Sequence, residues 1–151
     1  LALMLQHIYN DERGVTCFDR YFDHLKHVAP SWPPALRDFA QDDARYVLNG
    51  PRTLHDAWLW QLRVHKMNSP TGVTTSVELE LELAADQSRL KLHYLDVNGL
   101  HTQLTPLRWP DKPVDLLVHE FSQDDGGMFR HVLVFDRGVQ VDIRFGGFGV
   151  A

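Results

Sequence analysis

Two stretches of this chain constrain each other's pairing more than any other feature. Val77, Leu79, Leu81 and Leu83 alternate with Ser76, Glu78, Glu80 and Glu82; shortly after, Leu90, Leu92 and Tyr94 alternate with Arg89, Lys91 and His93. A period of two marks strands with one buried face. With Ala84-Ala85-Asp86-Gln87 as the loop, Glu82 faces Arg89, Glu80 faces Lys91 and Glu78 faces His93. The same register sets Leu81 on Leu90, Leu79 on Leu92 and Val77 on Tyr94. Opposite charges meet on one face and apolar groups on the other, and a one-residue slip destroys both matches.

This hairpin anchors an antiparallel reading of the rest. Trp58, Trp60, Leu62 and Val64 alternate with Leu59, Gln61, Arg63 and His65, which predicts a strand with a mostly apolar Trp-bearing face. Asn68 to Gly72 is a loop. The alternation changes phase at Leu95, so a bulge or strand end falls there. Asn98-Gly99 predicts a tight turn into a short strand at Leu100 to Leu104. After the Pro-rich stretch around Pro106, Pro110 and Pro113, strands are expected at Leu116 to Phe121 and Phe129 to Phe135. A last hairpin turns at Asp136-Arg137-Gly138 into Val139, Val141, Ile143 and Phe145. Gly146-Gly147-Phe148-Gly149 reads as a flexible tail.

The first 50 residues carry the helical period instead. Phe18, Tyr21, Phe22, Leu25 and Val28 share one helix face, with Thr16 as the expected cap and Pro30 as the stop. Pro33-Pro34 opens a second helix through Leu36, Phe39, Ala40 and Val47, ended by Asn49-Gly50-Pro51. The expected architecture is one α+β domain over residues 1–151. Helices in 1–50 pack on one face of an antiparallel meander of about six to seven strands in 52–151.

A chain of 151 residues can bury about 68–70% of its unfolded surface, so this core needs no staples. The formal charge of −5 argues against nucleic acid or an anionic membrane as partner and permits a protein one. The lone Cys17, expected as a half-buried helical thiol, excludes an internal disulfide and any Cys-based metal cluster, and suits a reducing cytoplasm. No apolar run approaches the ~20 residues needed to cross a bilayer. Leu1 to Leu5 lacks the basic flank and cleavage pattern of a signal peptide. The first residue is not Met, which suggests trimming, an added remnant or a start inside a longer chain.

His119 and His131 are the leading candidates for chemistry. A symmetric loop over Ser122 to Gly127 sets Phe121 on Phe129 and His119 on His131, and a three-residue final turn puts both imidazoles on the apolar face. A two-residue turn would redirect His131. Two imidazoles can share a proton or bind a metal, but no third ligand has a forced position, and Glu120 points to the other face. The competing reading makes them core histidines satisfied by hydrogen bonds. His55-Asp56 has the order of a dyad without a nucleophile. Asp124-Asp125-Gly126-Gly127 looks like a calcium-loop fragment without its spaced ligands. Trp109, Asp124 and Asp125 are candidate binding residues. No cofactor or metal is expected.

Three segments resemble a loose group of small bacterial β-sheet proteins. They are Leu54-His55-Asp56-Ala57-Trp58-Leu59, His119-Glu120-Phe121 with its acidic turn, and Phe129 to Phe135 running into Gly138 to Ile143. The resemblance implies an immunity-like partner of a toxin and supplies no catalytic residues. With no catalytic motif, an acidic balance and a charged outer sheet face, the expected function is a non-catalytic protein-binding domain. The alternatives are an acid–base or metal enzyme at His119 and His131, and a structural or oligomerisation module of a longer chain.

Overall fold

A computed structural model describes residues 5–104 and 113–151. Trp109, the expected aromatic anchor, lies outside the described residues. The period change in the sequence is obeyed. The helical part gives two short helices, α1 (Asp19–Val28) and α2 (Pro34–Ala40), preceded by a small ribbon of β1 (Tyr9–Asn10) and β2 (Thr16–Cys17). The strands that follow are β3 (Trp58–Ser69), β4 (Gly72–Glu82), β5 (Arg89–Leu95), β6 (Gly99–Gln103), β7 (Leu116–Gln123), β8 (Phe129–Phe135), β9 (Gln140–Phe145) and β10 (Gly147–Val150).

The central hairpin forms in the register that its side chains dictate. Val77 faces Tyr94, Leu79 faces Leu92 and Leu81 faces Leu90, while Glu78, Glu80 and Glu82 face His93, Lys91 and Arg89. Arg89 reaches both Glu80 and Glu82 at 3.1 Å.

The expected single meander is instead two four-stranded sheets, ordered β10-β5-β4-β3 and β6-β9-β8-β7. The cause is a corner. After Leu95 the chain turns through Asp96, which takes a left-handed φ of 51°, and β6 leaves to pair with β9 rather than β5. The partner strand bends at the same place: β9 belongs to the second sheet, and β10 continues it in the first. Gly146 donates to the Leu95 carbonyl at 2.9 Å there. A Cβ on Gly146 would lie 3.2 Å from the Cβ of Asp96, and one on Gly147 3.2 Å from that of Leu95. The two glycines let the backbones approach at the bend. The segment read as a flexible tail is thus strand β10, paired with Leu92 to Leu95.

A second junction joins the sheets on the far side. Asp56 donates to Leu116 and Leu116 to Ala57, both at 2.8 Å, and Trp58 bridges Asp115. The two sheets are therefore tied at both flanks, and their inner faces share one core. Nor do the helices cover one sheet face. Phe39 of α2 meets Phe121 of β7 and Phe148 of β10, so the helical layer straddles both sheets.

Three local readings change as well. Thr16 lies in β2 with its hydroxyl on Asn10, and α1 begins without a side-chain cap. Cys17, half-buried, is in β2 rather than a helix. Val47 is exposed, because α2 ends at Ala40.

Candidate functional site

His119 on β7 and His131 on β8 do share the inner face of their sheet, but not as direct cross-strand partners. Strand β7 continues to Gln123, two residues beyond the expected end, so Phe121 faces His131 and His119 faces Leu133. A shift of two keeps every side chain on its face. The two rings become diagonal neighbours, and His119 Nδ1 lies 3.0 Å from His131 Nε2. The final turn is of the three-residue kind, with Gly138 at φ 81°.

The remaining ring nitrogens are also occupied. His119 Nε2 lies 3.2 Å from the Arg45 carbonyl, and His131 Nδ1 lies 2.7 Å from the Tyr94 hydroxyl. A carbonyl can only accept, which fixes the direction of the whole series. His119 carries its proton on Nε2 and gives it to Arg45. Its Nδ1 then accepts from His131 Nε2–H, and His131 Nδ1 accepts from Tyr94 O–H. The relay ties the first sheet through Tyr94 to the second and on to the segment after α2. Phe121 stacks on the His131 ring at 3.8 Å and Tyr46 on the His119 ring at 4.4 Å.

Burial sets the protonation states. It pushes His119 down to about 4, reinforced by the Arg45 guanidinium and partly offset by the bond to the Arg45 carbonyl. Burial and the neighbouring His119 hold His131 well below the ordinary imidazole range. Burial likewise raises Tyr94 well above its usual value. All three are neutral at pH 7. A parallel relay runs beside them. The Phe121 N–H donates to Tyr21 at 2.9 Å, Tyr21 to Tyr46 at 2.9 Å, and Tyr46 to the Ala40 carbonyl at 2.6 Å.

These imidazoles have the chemistry of structure. Each is sealed from solvent, with 3% of His119 and 0% of His131 exposed, and each nitrogen is committed. Among the described residues, no three His, Cys, Asp or Glu side chains are placed to hold a metal ion. A substrate would have to open the core to reach them.

The carboxylate next in sequence does something the sequence did not signal. Glu120 points to the outer face, as expected, yet is only 1% exposed. It accepts the N–H groups of Gln6, His7 and Ile8 at 2.8, 2.7 and 2.8 Å, pinning the N-terminal segment to the outer side of the second sheet. Arg130 lies nearby and is held above its usual range, chiefly by its bond to Asp142 and further by the Glu120 charge.

The other candidates separate. Asp124 builds its own hairpin loop, accepting from the Met128 N–H at 3.0 Å and pairing with Arg144. Asp125 is exposed at the loop tip. His55 Nδ1 lies 3.3 Å from Asp56 without the alignment of a hydrogen bond. Thr53 anchors that turn, accepting from the His55 N–H at 3.0 Å. His55 borders an apolar recess of about 310 Å³ beneath the N-terminal ribbon, where the hydroxyl of Thr16 is tied to Asn10.

The outer part of the β3–β4 hairpin is the surface that the interior does not explain. The expected Trp-bearing face is not buried. The register breaks between Leu59 and Gln61, so Trp60 is bulged out, and both Trp58 and Trp60 are exposed. Arg89 covers the Trp60 ring at 3.5 Å from its centroid, a cation–π contact. Beyond Leu62 the side chains of β3 leave the core, although Val77 opposite Val64 stays in it, and the tip of the hairpin projects as an arm. Val64 is 55%, Met67 47% and Val73 66% exposed there. No family model matches this chain, and no curated protein is similar to it. No helix among the described residues is long and apolar enough to cross a membrane.

Proposed function

We propose that this chain is a non-catalytic protein-binding domain and that the arm of β3 and β4 is its binding surface. The observation that carries the reading is that this hairpin exposes apolar groups on both of its faces, Trp60 and Met67 on the charged one and Val64 and Val73 on the other. Such groups gain by being covered, whereas scattered exposed apolar residues call for no explanation. Aromatic side chains commonly anchor interfaces, and Arg89 holds Trp60 in one orientation in advance. The sealed state of His119 and His131 supports a surface function over an enzymatic one. In its specific form the proposal is an immunity-like role, in which the arm occupies a toxin domain.

The test is to coexpress the chain with the polypeptides encoded on either side of it, then map backbone hydrogen exchange in any complex. A stable complex with slowed exchange across the arm is expected. Protection confined to other elements, or no complex with either neighbour, counts against the reading.

A further inference from the structure

We infer that the outer edge of β3 receives an extended acidic segment of the partner as an added antiparallel or parallel strand. This rests on the arm being the binding surface and names the chemistry of what binds it. Strand β3 is the last strand of its sheet, and from Gln61 onward no described strand pairs with its outer edge. The hairpin closes with Ser69 opposite Gly72, a two-residue turn. Counting back from that closing pair, the backbone groups of Ser69, Met67, His65 and Arg63 face β4. Those of Asn68, Lys66, Val64 and Leu62 face outward. An unpaired edge of this kind is a template for strand addition.

Charge selects the occupant. The sequence from 57 to 77 contains no Asp or Glu, although the whole chain has 20. It does contain Arg63, His65 and Lys66. Arg63 sits opposite Glu78, but the Glu78 carboxylate contacts His93 at 3.6 Å. Among the described residues Lys66 bonds a hydroxyl, that of Thr75 at 2.7 Å, and no carboxylate. The arm is thus a cationic strip on an acidic protein. A second copy paired edge to edge would set Arg63, His65 and Lys66 against their own counterparts, which like-charge cross-strand contacts disfavour. A strand alternating acidic and apolar residues suits this edge, with carboxylates beside Arg63 and His65 on one face and apolar groups beside Leu62 and Val64 on the other, where Lys66 adds a positive charge toward the tip.

The test uses a short labelled peptide alternating glutamate with valine, and its lysine–valine counterpart, followed by fluorescence anisotropy on the full chain. The glutamate peptide is expected to bind at least about tenfold more tightly and to weaken as salt is added. Val64→Pro removes an outward N–H that no described residue uses, and proline is tolerated on such an edge. Circular dichroism should show this variant folded, and the peptide should no longer bind. Arg63→Glu combined with His65→Glu, both on the face that meets the peptide's charged residues, should reverse the preference toward the lysine peptide, which tests the charge term independently. Equal binding of the two peptides, undiminished binding by folded Val64→Pro, or a dimer of the chain lost in that variant overturns the acidic-strand occupant. If the arm is still protected in a complex with a neighbour-encoded protein, the binding surface stands and only this occupant falls.

Discussion

Glu120→Ala is expected to destabilise the fold by roughly 3 kcal/mol and to free the N-terminal segment from the second sheet. Three N–H groups share this one carboxylate. A buried donor left without its acceptor costs about 1–3 kcal/mol. Gln6 is exposed and regains water on release, so the loss falls mainly on His7 and Ile8. Glu120→Gln separates geometry from volume. Its carbonyl oxygen can still serve His7 and Ile8, which share Oε1, while its amide faces the Gln6 N–H with a donor. That variant should recover part of the stability. Denaturant titration measures both effects, and hydrogen exchange should show the β1–β2 ribbon losing protection in the alanine variant. A change below about 1 kcal/mol for Glu120→Ala would mean that the pin contributes little.

Acid should weaken the fold well before its carboxylates are fully protonated. In the unfolded chain both histidines titrate near about 6.5, whereas in the core His119 lies at about 4 and His131 well below its ordinary range. Above about 6.5 both states leave the imidazoles neutral and no penalty exists. As pH falls below that, the unfolded state takes up protons that the folded state refuses, so stability declines until the folded values are reached. The slope is about 1.4 kcal/mol per pH unit for each histidine, and His119 alone accounts for roughly 3 kcal/mol by pH 4. His24, lowered by partial burial and by the stacked His7, acts in the same sense. Asp115, raised by burial and by Asp136 and Asp56, acts in the opposite one. His119→Gln keeps a donor for the Arg45 carbonyl but cannot titrate. Its unfolding free energy should fall less steeply between pH 6.5 and 4, by about one proton. Equal slopes would show that His119 is not held neutral in the fold.

The parts of this fold that can be read from sequence are those in which two independent patterns agree. Glu78, Glu80 and Glu82 against Arg89, Lys91 and His93 fix a register because charge and burial demand the same pairing. The common face of His119 and His131 was also legible, since a two-residue error in the loop preserves side-chain parity. Their hydrogen-bonded partners were not. Tyr94 and Arg45 come from distant elements, and a backbone carbonyl as acceptor leaves no mark on residue choice. Glu120 was missed for the same reason, as its partners are three main-chain N–H groups. The alternation around Trp58 and Trp60 pointed inward because nothing in it announces a bulge at an edge strand. Gly146 and Gly147 looked like a tail because a close approach to Leu95 and Asp96 selects glycine without supplying a strand pattern.

The reading of this chain as a binding domain depends on its two central histidines being interior structure. Nitrogen-detected NMR of the imidazole rings measures that directly. Both His119 and His131 should be neutral with the proton on Nε2, and their shifts should stay constant from pH 7.5 to about 5.5. Titration of either ring near about 6.5, or a proton on Nδ1 of His119, would contradict the closed relay and return the pair to candidacy as an acid–base site.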